Sequence, residues 1–306
     1  MSERARTPDD ALTITPRPFG LAGFLRNVVI YVFSLYSHFY VGICFVPLWF
    51  ASIWPSGRRL MFILYQTWLE CFLVIFDVQV TVVGAHHVTD GGPCLIVSNH
   101  RSWMDIIALV TALKHDRPIL FMLKRSLMWI PIYGWYIGRL GFVPVDRQRK
   151  GSDNRAQIAK CADAVTGGAT LVIFPEGTRA PTHRFVRFKK GAAEVALLAK
   201  ARVVPCVISG SAQVFPKSTP FVRPGVVRVE FLPPIVVDDE TTREGLLAHL
   251  GDVMSRRYRL DPLGPPVEDD PALLASVSAD LVPPAALSSS ETAPTSAHTV
   301  ALIDPR

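Results

Sequence analysis

Hydrophobic and polar positions alternate in three different rhythms along the chain. Between residues 27 and 57 there is no Asp, Glu, Lys or Arg, and the run VVIYVFSLYSHFYVGICFVPLWFASIW is longer than the ~20 residues needed to cross a bilayer core. A second apolar run, LMFILYQTWLECFLVIF over residues 60–76, follows directly after WPSGRR. Together they predict a membrane-associated helical hairpin over residues 21–76, with Trp49, Trp54, Arg58 and Arg59 as an aromatic and cationic anchor at the interface. Arg17 and Arg26 precede the first run and Arg58 and Arg59 follow it, so charge alone sets no orientation. Pro47 and His38 weaken a straight span and leave open a hairpin that dips into one leaflet. A hydrophobic helix pair buried within the fold is the alternative. The run is too long, and too far from residue 1, for an ordinary signal peptide, so it is expected to be retained.

From residue 78 short β-branched runs alternate with helical segments. VQVTVV (78–83), CLIVS (94–98), GFVPV (141–145), TLVIF (170–174), VVPCVIS (203–209) and VVRVEFL (226–232) read as strands. Residues 103–114, 153–165 and 191–200 read as helices, the second stopped by Gly167 and Gly168. Strands that are apolar on both faces and separated by helices predict an α/β domain over residues 77–260, with a mixed, largely parallel sheet covered by helices on both sides. Beyond residue 260 the composition turns to Pro, Ala, Ser and acidic residues, with Arg306 the only Lys or Arg. Residues 261–306 are expected to be a disordered tail dispensable for chemistry, and residues 1–20 a flexible amino terminus. No internal repeat is present.

Charge narrows the partners. The formal net charge of +6 favours anionic ligands, phosphate groups or acidic lipid surfaces, and does not separate nucleic acid from membrane. The 49% hydrophobic content points towards a membrane. Five widely spaced cysteines, Cys44, Cys71, Cys94, Cys161 and Cys206, form no Cys-x-x-Cys pair and no zinc spacing, so no metal is expected and a reduced, cytosol-facing compartment is.

The chemistry-bearing residues cluster where predicted strands end. CLIVS runs into Asn99, His100 and Asp105, GFVPV into Asp146 and Arg147, TLVIF into Glu176 and Arg179, and VVPCVIS into Gly210 and Ser211. In open α/β sheets ligands bind at the carboxyl ends of strands, so these ends are expected to converge. SWMD matches a capping box, with Ser102 as the cap and Asp105 returning a hydrogen bond. A cap gives His100 no role, and a His in the turn before a helix can lie over an Asp in its first turn. Such a carboxylate fixes the imidazole tautomer and lets the ring take a proton from an alcohol. Both readings of Asp105 stay open at this point. Lys124, Arg147 and Arg179 are candidate phosphate ligands. The basic run RFVRFKKGAAE (184–194) is either a solvated face or a surface for acidic headgroups. There is no Gly-x-Ser-x-Gly elbow.

NHRSWMD, GFVPVDR, FPEGTR and VVPCVISGS, in this order and at these separations, resemble the four blocks of the glycerophospholipid acyltransferase family, most closely its bacterial 1-acylglycerol-3-phosphate branch. LKRSLMWIPIYGWYIGRLGFVPVDR and FKKGA are similar to the connectors of that family, and the likeness covers residues 78–232. The resemblance implies a His100–Asp105 catalytic dyad and a phosphate-binding Arg147. It also implies that Glu176, Gly177, Thr178 and Arg179 help bind the glycerol phosphate of the acceptor, and that Pro205 lies near the acyl-donor side. Ala180, where many members have Ser, and Arg101, at a variable place, depart from the pattern.

The reaction so implied moves an acyl group from a thioester, on coenzyme A or acyl carrier protein, to the 2-hydroxyl of 1-acyl-glycerol-3-phosphate. The expected partners are lysophosphatidic acid, the acyl donor and membrane lipids, with no nucleic acid and no cofactor. The expected place is a bacterial inner membrane, with the site facing the cytoplasm. A thioester is already activated, so no covalent enzyme intermediate is required. Two rivals remain at this level: a lipid hydrolase using Ser102, His100 and Asp105, and a non-catalytic module that binds acidic lipids. Other acceptors, such as another lysophospholipid, a lyso-ornithine lipid or glycerol-3-phosphate, fit the same chemistry.

Overall fold

The computed structural model describes residues 20–113, 119–130, 133–146, 152–179, 187–217, 219–261 and 263. Two long helices come first, α1 (Leu21–Ala51) and α2 (Pro55–Ile75). Then follow β1 (Val78–Val83), the single turn α3 (His86–Thr89), β2 (Leu95–Ser98), α4 (Met104–Ala112) and β3 (Ile119–Lys124). A 3₁₀ turn, Arg125–Trp129, leads to α5 (Tyr133–Arg139) and β4 (Val143–Val145). The remainder is α6 (Ser152–Thr166), β5 (Thr170–Ile173), α7 (Gly191–Ala199), β6 (Val203–Ser209), α8 (Ser211–Val214), β7 (Gly225–Phe231) and α9 (Arg243–Leu260).

The strands form one seven-stranded sheet in the order β1-β7-β6-β2-β5-β3-β4. Every pairing is parallel except β6 with β7, which makes the sheet mixed and largely parallel as the sequence predicts. Leu95 pairs with Leu171 on one side and Val203 on the other, and every residue of β2, β5 and β6 is buried. Their uninterrupted Leu, Ile and Val runs are what two covered faces require. On one face α4 packs on β1 and β7 and is backed by α2; α6, α7 and α9 pack together over β4, β5 and β6. Because β2 to β6 run in the same direction, their carboxyl ends lie along one edge, and this edge carries the site.

The seventh strand, β3, and helix α9 are absent from the expectations above. The apolar ILFMLK of β3 passes straight into RSLMW without a Gly or Pro break. α9 is polar on average, and only Leu246, Leu250, Met254 and Tyr258, four residues apart, mark the face it buries. Its start is capped by Thr242, whose hydroxyl accepts from the N–H of Gly245 at 3.1 Å. The expected flexible amino terminus and tail lie outside the described residues, apart from Gly20, Asp261 and Leu263.

The two expected helices are present and pack on each other, and Gly57 closes their turn, where a Cβ would overlap the carbonyl of Ala51. Among the described residues, however, no helix is long and apolar enough to cross a membrane. Part of the pair is packed on the α/β domain. α2 buries Met61, Phe62, Tyr65, Leu69 and Leu73 in the core of the α/β domain. Its Gln66 donates from Nε2 to the carbonyls of Val110 and Leu113 at the end of α4. The start of α1 is tied to the β6–β7 connection: Asn27, fully buried, accepts from the N–H of Val222 at 3.2 Å, Tyr31 donates to the carbonyl of Pro220, and Phe24 meets Phe221 edge-on. The pair is therefore part of the domain, while Val28, Val29, Val32, Leu35, Leu60, Ile63 and Leu64 keep an apolar face exposed.

Candidate active site

The site begins where β2 stops. Asn99 is fully buried, and its side chain completes the sheet: Nδ2 donates to the carbonyl of Ile208 at 2.8 Å and Oδ1 accepts from the same residue's N–H at 2.7 Å. This two-way bond extends the β2–β6 ladder by one residue and fixes the exit of the chain. The next residue, His100, is held on three sides. Its ring lies flat over Phe174 at the end of β5, with centroids 4.1 Å apart and planes at 17°. Its N–H donates to Glu176 Oε1 at 3.2 Å, and its Nδ1 lies 2.8 Å from Asp105 Oδ2.

Asp105 is fully buried and does both things the sequence left open. The same Oδ2 accepts the N–H groups of Arg101 at 2.6 Å and Ser102 at 2.8 Å, which closes the capping box, and also meets His100. An anion fed by two backbone N–H groups takes the Nδ1 proton of His100 as its third donor. The lone pair of the neutral imidazole is then on Nε2. The ring keeps 10% exposure, so access to it is narrow.

Ser102 belongs to the cap. Its Oγ accepts from the N–H of Met104 at 3.1 Å and donates to the carbonyl of Phe215 at 2.7 Å. The proton a nucleophile would give to a base is already committed to that carbonyl.

Glu176 is the largest surprise. Its carboxylate is fully buried and accepts from Arg101 Nη1 with both oxygens, at 2.8 and 2.6 Å. The Arg101 guanidinium lies 5.5 Å over the ring of Tyr258 on α9. Burial pushes the Glu176 carboxyl above its ordinary range, while the Arg101 charge pulls it down. The expected acceptor ligand thus points inward. It braces the backbone of His100 and ties together β2, β5 and α9.

Of the other expected residues, Arg179 places its guanidinium 5.2 Å over the ring of Trp103, beside the first turn of α4. Gly177 takes a left-handed φ of 69°, which favours glycine in this turn, and the end of the Lys189 side chain lies against it. Thr178 is exposed. Lys124 is exposed at the carboxyl end of β3, opposite Val145, the last residue of β4. Arg147 lies outside the described residues. Pro205 is buried within β6, opposite Val97. Two residues receive no role from the sequence. Lys189 sits in the basic run, where its crowding against Gly177 leaves no trace in spacing. Arg101 stands in a place the family resemblance treats as variable. Among the described residues no group of three or more His, Cys, Asp or Glu is placed to hold a metal ion.

Residues 79–209 match the model of the Acyltransferase family. A chloroplastic 1-acyl-sn-glycerol-3-phosphate acyltransferase of Brassica napus is 35% identical over 147 residues, which is 47% of this chain and 41% of that protein. A similarly named chloroplastic protein of Arabidopsis thaliana is 31% identical over 186 residues, 59% of this chain and 50% of its own length. The chain thus spans about half the length of these curated relatives. A 1-acyl-sn-glycerol-3-phosphate acyltransferase of Pseudomonas aeruginosa is 28% identical over 224 residues, 72% of this chain and 84% of that one. The crystal structure of the 1-acyl-sn-glycerophosphate acyltransferase PlsC from Thermotoga maritima shares the fold, with a TM-score of 0.64 at 22% identity over 78% of this chain and 96% of that one. Over residues 79–209 the chain is accordingly similar to the Acyltransferase family.

Proposed function

We propose that this protein transfers a fatty acyl group from an acyl thioester to the 2-hydroxyl of 1-acyl-glycerol-3-phosphate, giving phosphatidic acid. The observation that carries the reading is the His100–Asp105 pair, 2.8 Å apart at the carboxyl end of β2, with Nε2 left as the basic nitrogen. The acceptor hydroxyl gives its proton to Nε2 as its oxygen bonds to the thioester carbonyl carbon. The tetrahedral intermediate collapses, the C–S bond breaks, and the imidazolium returns the proton to the departing sulfur. Asp105 stabilises the transient imidazolium through Nδ1 and is not itself protonated. General-base help of this kind is worth about 10²–10⁴-fold in rate. The thioester carries its own activation, so the step draws on no prosthetic group.

The acceptor assignment is supported by the names of the relatives and by the cations along the site edge. Lys124, Lys189 and Arg179 lie on or beside that edge, and Arg147 comes two residues after the end of β4 in the sequence. Guanidinium and ammonium groups hold phosphate oxygens and bring the neighbouring hydroxyl to the base, and positioning of this kind supplies much of a barrier reduction. The donor is coenzyme A or acyl carrier protein thioester. The place of action is the cytoplasmic surface of a bacterial inner membrane, which the chain meets through the exposed apolar face of α1 and α2 without needing a span. A Ser102-based hydrolase is disfavoured by the commitment of Oγ to Phe215.

The test is thiol release from a long-chain acyl-coenzyme A by the detergent-purified protein, with lysophosphatidate, other lysolipids, glycerol-3-phosphate or no acceptor. Release that requires lysophosphatidate supports the proposal. Release without an acceptor marks a hydrolase, and release only with another lysolipid moves the acceptor.

A further inference from the structure

Two tryptophans of the α/β domain serve neither its core nor the His100 site. Trp129 is 81% exposed, more than any other large apolar side chain among the described residues, and Trp135 is 67% exposed. Both follow β3, on the edge of the sheet that carries the site: Lys124 ends the strand, the turn Arg125–Trp129 comes next, and α5 starts at Tyr133. α5 is fastened to the helix pair. Tyr136 donates to the carbonyl of Met61 at 2.5 Å, Arg139 Nε donates to Ser52 Oγ at 2.7 Å, and the Arg139 guanidinium lies 5.4 Å over the ring of Trp49. Trp135 is one helical turn before Arg139 and so shares its face. The exposed surface therefore runs on from α5 into the α1–α2 turn, where Trp49, Ile53 and Trp54 are 41%, 58% and 62% exposed.

Charge gives this surface a direction. Lys124 and Arg125 are both exposed beside it, and the sequence has no Asp or Glu between residues 117 and 145. Tryptophan beside Lys and Arg is the composition of a bilayer interface, where the indole sits at headgroup depth and the cations meet anionic lipid. We propose that Trp129 and Trp135, with Lys124 and Arg125, form a further membrane-docking surface, built on the catalytic domain and continuous with the exposed α1–α2 turn. Its partner is the headgroup layer of an anionic phospholipid bilayer. Contact at both the helix pair and the β3–α5 segment fixes the tilt of the domain, so the carboxyl edge of the sheet faces the layer in which a lipid acceptor lies. The inference rests on the reading that the acceptor is a lipid, but its test does not use the reaction.

The full-length Trp129→Cys chain, on a Cys71→Ser background, is labelled with the environment-sensitive dye NBD and mixed with vesicles of phosphatidylglycerol and phosphatidylethanolamine. Asp252→Cys, on α9 and on the opposite face of the sheet, is the control, and the Cys71→Ser chain gives the background. The expected result is a blue-shifted, several-fold brighter signal at position 129, quenched by lipids with a doxyl group near the headgroup, and no change at position 252. Trp129→Ser with Trp135→Ser is expected to lower vesicle partition by roughly tenfold, with a smaller loss on phosphatidylcholine. No change at position 129 while the chain co-floats with vesicles overturns the proposal, as does failure to co-float. A signal that rises with protein concentration without vesicles assigns the surface to a second copy of the chain and overturns it too. Failure of the acyl-transfer reading is seen separately, in the detergent assay, where there is no bilayer to dock on.

Discussion

Removing Arg101 strands a buried carboxylate. Its guanidinium makes two hydrogen bonds to Glu176, at 2.8 and 2.6 Å, and the two side chains keep only 2% and 0% exposure, so water cannot replace either partner. Breaking a buried pair from one side costs about 3–5 kcal/mol, whereas replacing both members by apolar groups of similar size is often close to neutral. Arg101→Met and Glu176→Leu are therefore each expected to lose about 3–5 kcal/mol in denaturant unfolding, and the double variant most of neither. The Arg101→Met loss depends on pH. Burial already raises the Glu176 carboxyl, and taking away Arg101 removes the largest opposing pull, so the folded state holds its proton to a higher pH than the unfolded chain does. The variant is thus most stable below the ordinary carboxyl value and weakens as pH rises through the raised one. Activity separates the two roles of Glu176. The double variant recovers stability, but the N–H of His100 has lost its acceptor, so kcat stays low while KM for lysophosphatidate changes little. Additive losses in the double variant would refute the coupling, and full kcat in it would refute the bracing of His100.

The other expectations concern single groups. Asp105→Asn keeps the shape that accepts the N–H groups of Arg101 and Ser102 but not the charge that stabilises an imidazolium; kcat is expected to fall by about 10²–10⁴, with KM nearly unchanged. Ser102→Ala is expected to cost about 1 kcal/mol in thermal or denaturant unfolding, as a lost cap does, and to keep kcat within a few-fold, whereas a serine hydrolase would lose nearly all turnover. In thiol labelling followed by peptide mapping, exposed Cys71 is expected to react at once, while Cys161, whose thiol burial pushes up to about 12, and the equally buried Cys94 and Cys206 wait for unfolding. Rapid labelling of Cys161 in the folded protein would contradict the packing of α6.

The parts legible in the sequence are those with a local cause. β2, β5 and β6 are runs of Leu, Ile and Val bounded by polar residues, and their doubly covered positions leave no polar face to obscure them. His100 and Asp105 are five residues apart, and a His in a turn can reach an Asp in the first helical turn, so their contact follows from short-range geometry. Glu176 illustrates the opposite case. Its partner Arg101 is 75 residues away, and nothing in FPEGTR distinguishes a carboxylate aimed at a ligand from one aimed into the core. The helix pair was legible only in part, for a related reason. Lack of charge over residues 27–57 shows that something apolar must cover the run; that α2 is covered on one face by α4 and β1 is decided by tertiary packing. One polar clue was Gln66, which serves the carbonyls at the end of α4. Trp129 and Trp135 appeared as part of a connector, and only their exposure beside the α1–α2 turn gives them a role.

The central claim is that His100 takes the proton of a lysophosphatidate hydroxyl. Its most direct test is steady-state acyl transfer from a long-chain acyl-coenzyme A to lysophosphatidate by the wild-type chain and by His100→Ala, with lysophosphatidate binding measured on both. The account predicts a fall in kcat of about 10²–10⁴ with the binding constant unchanged. Turnover in His100→Ala equal to that of the wild type would contradict it.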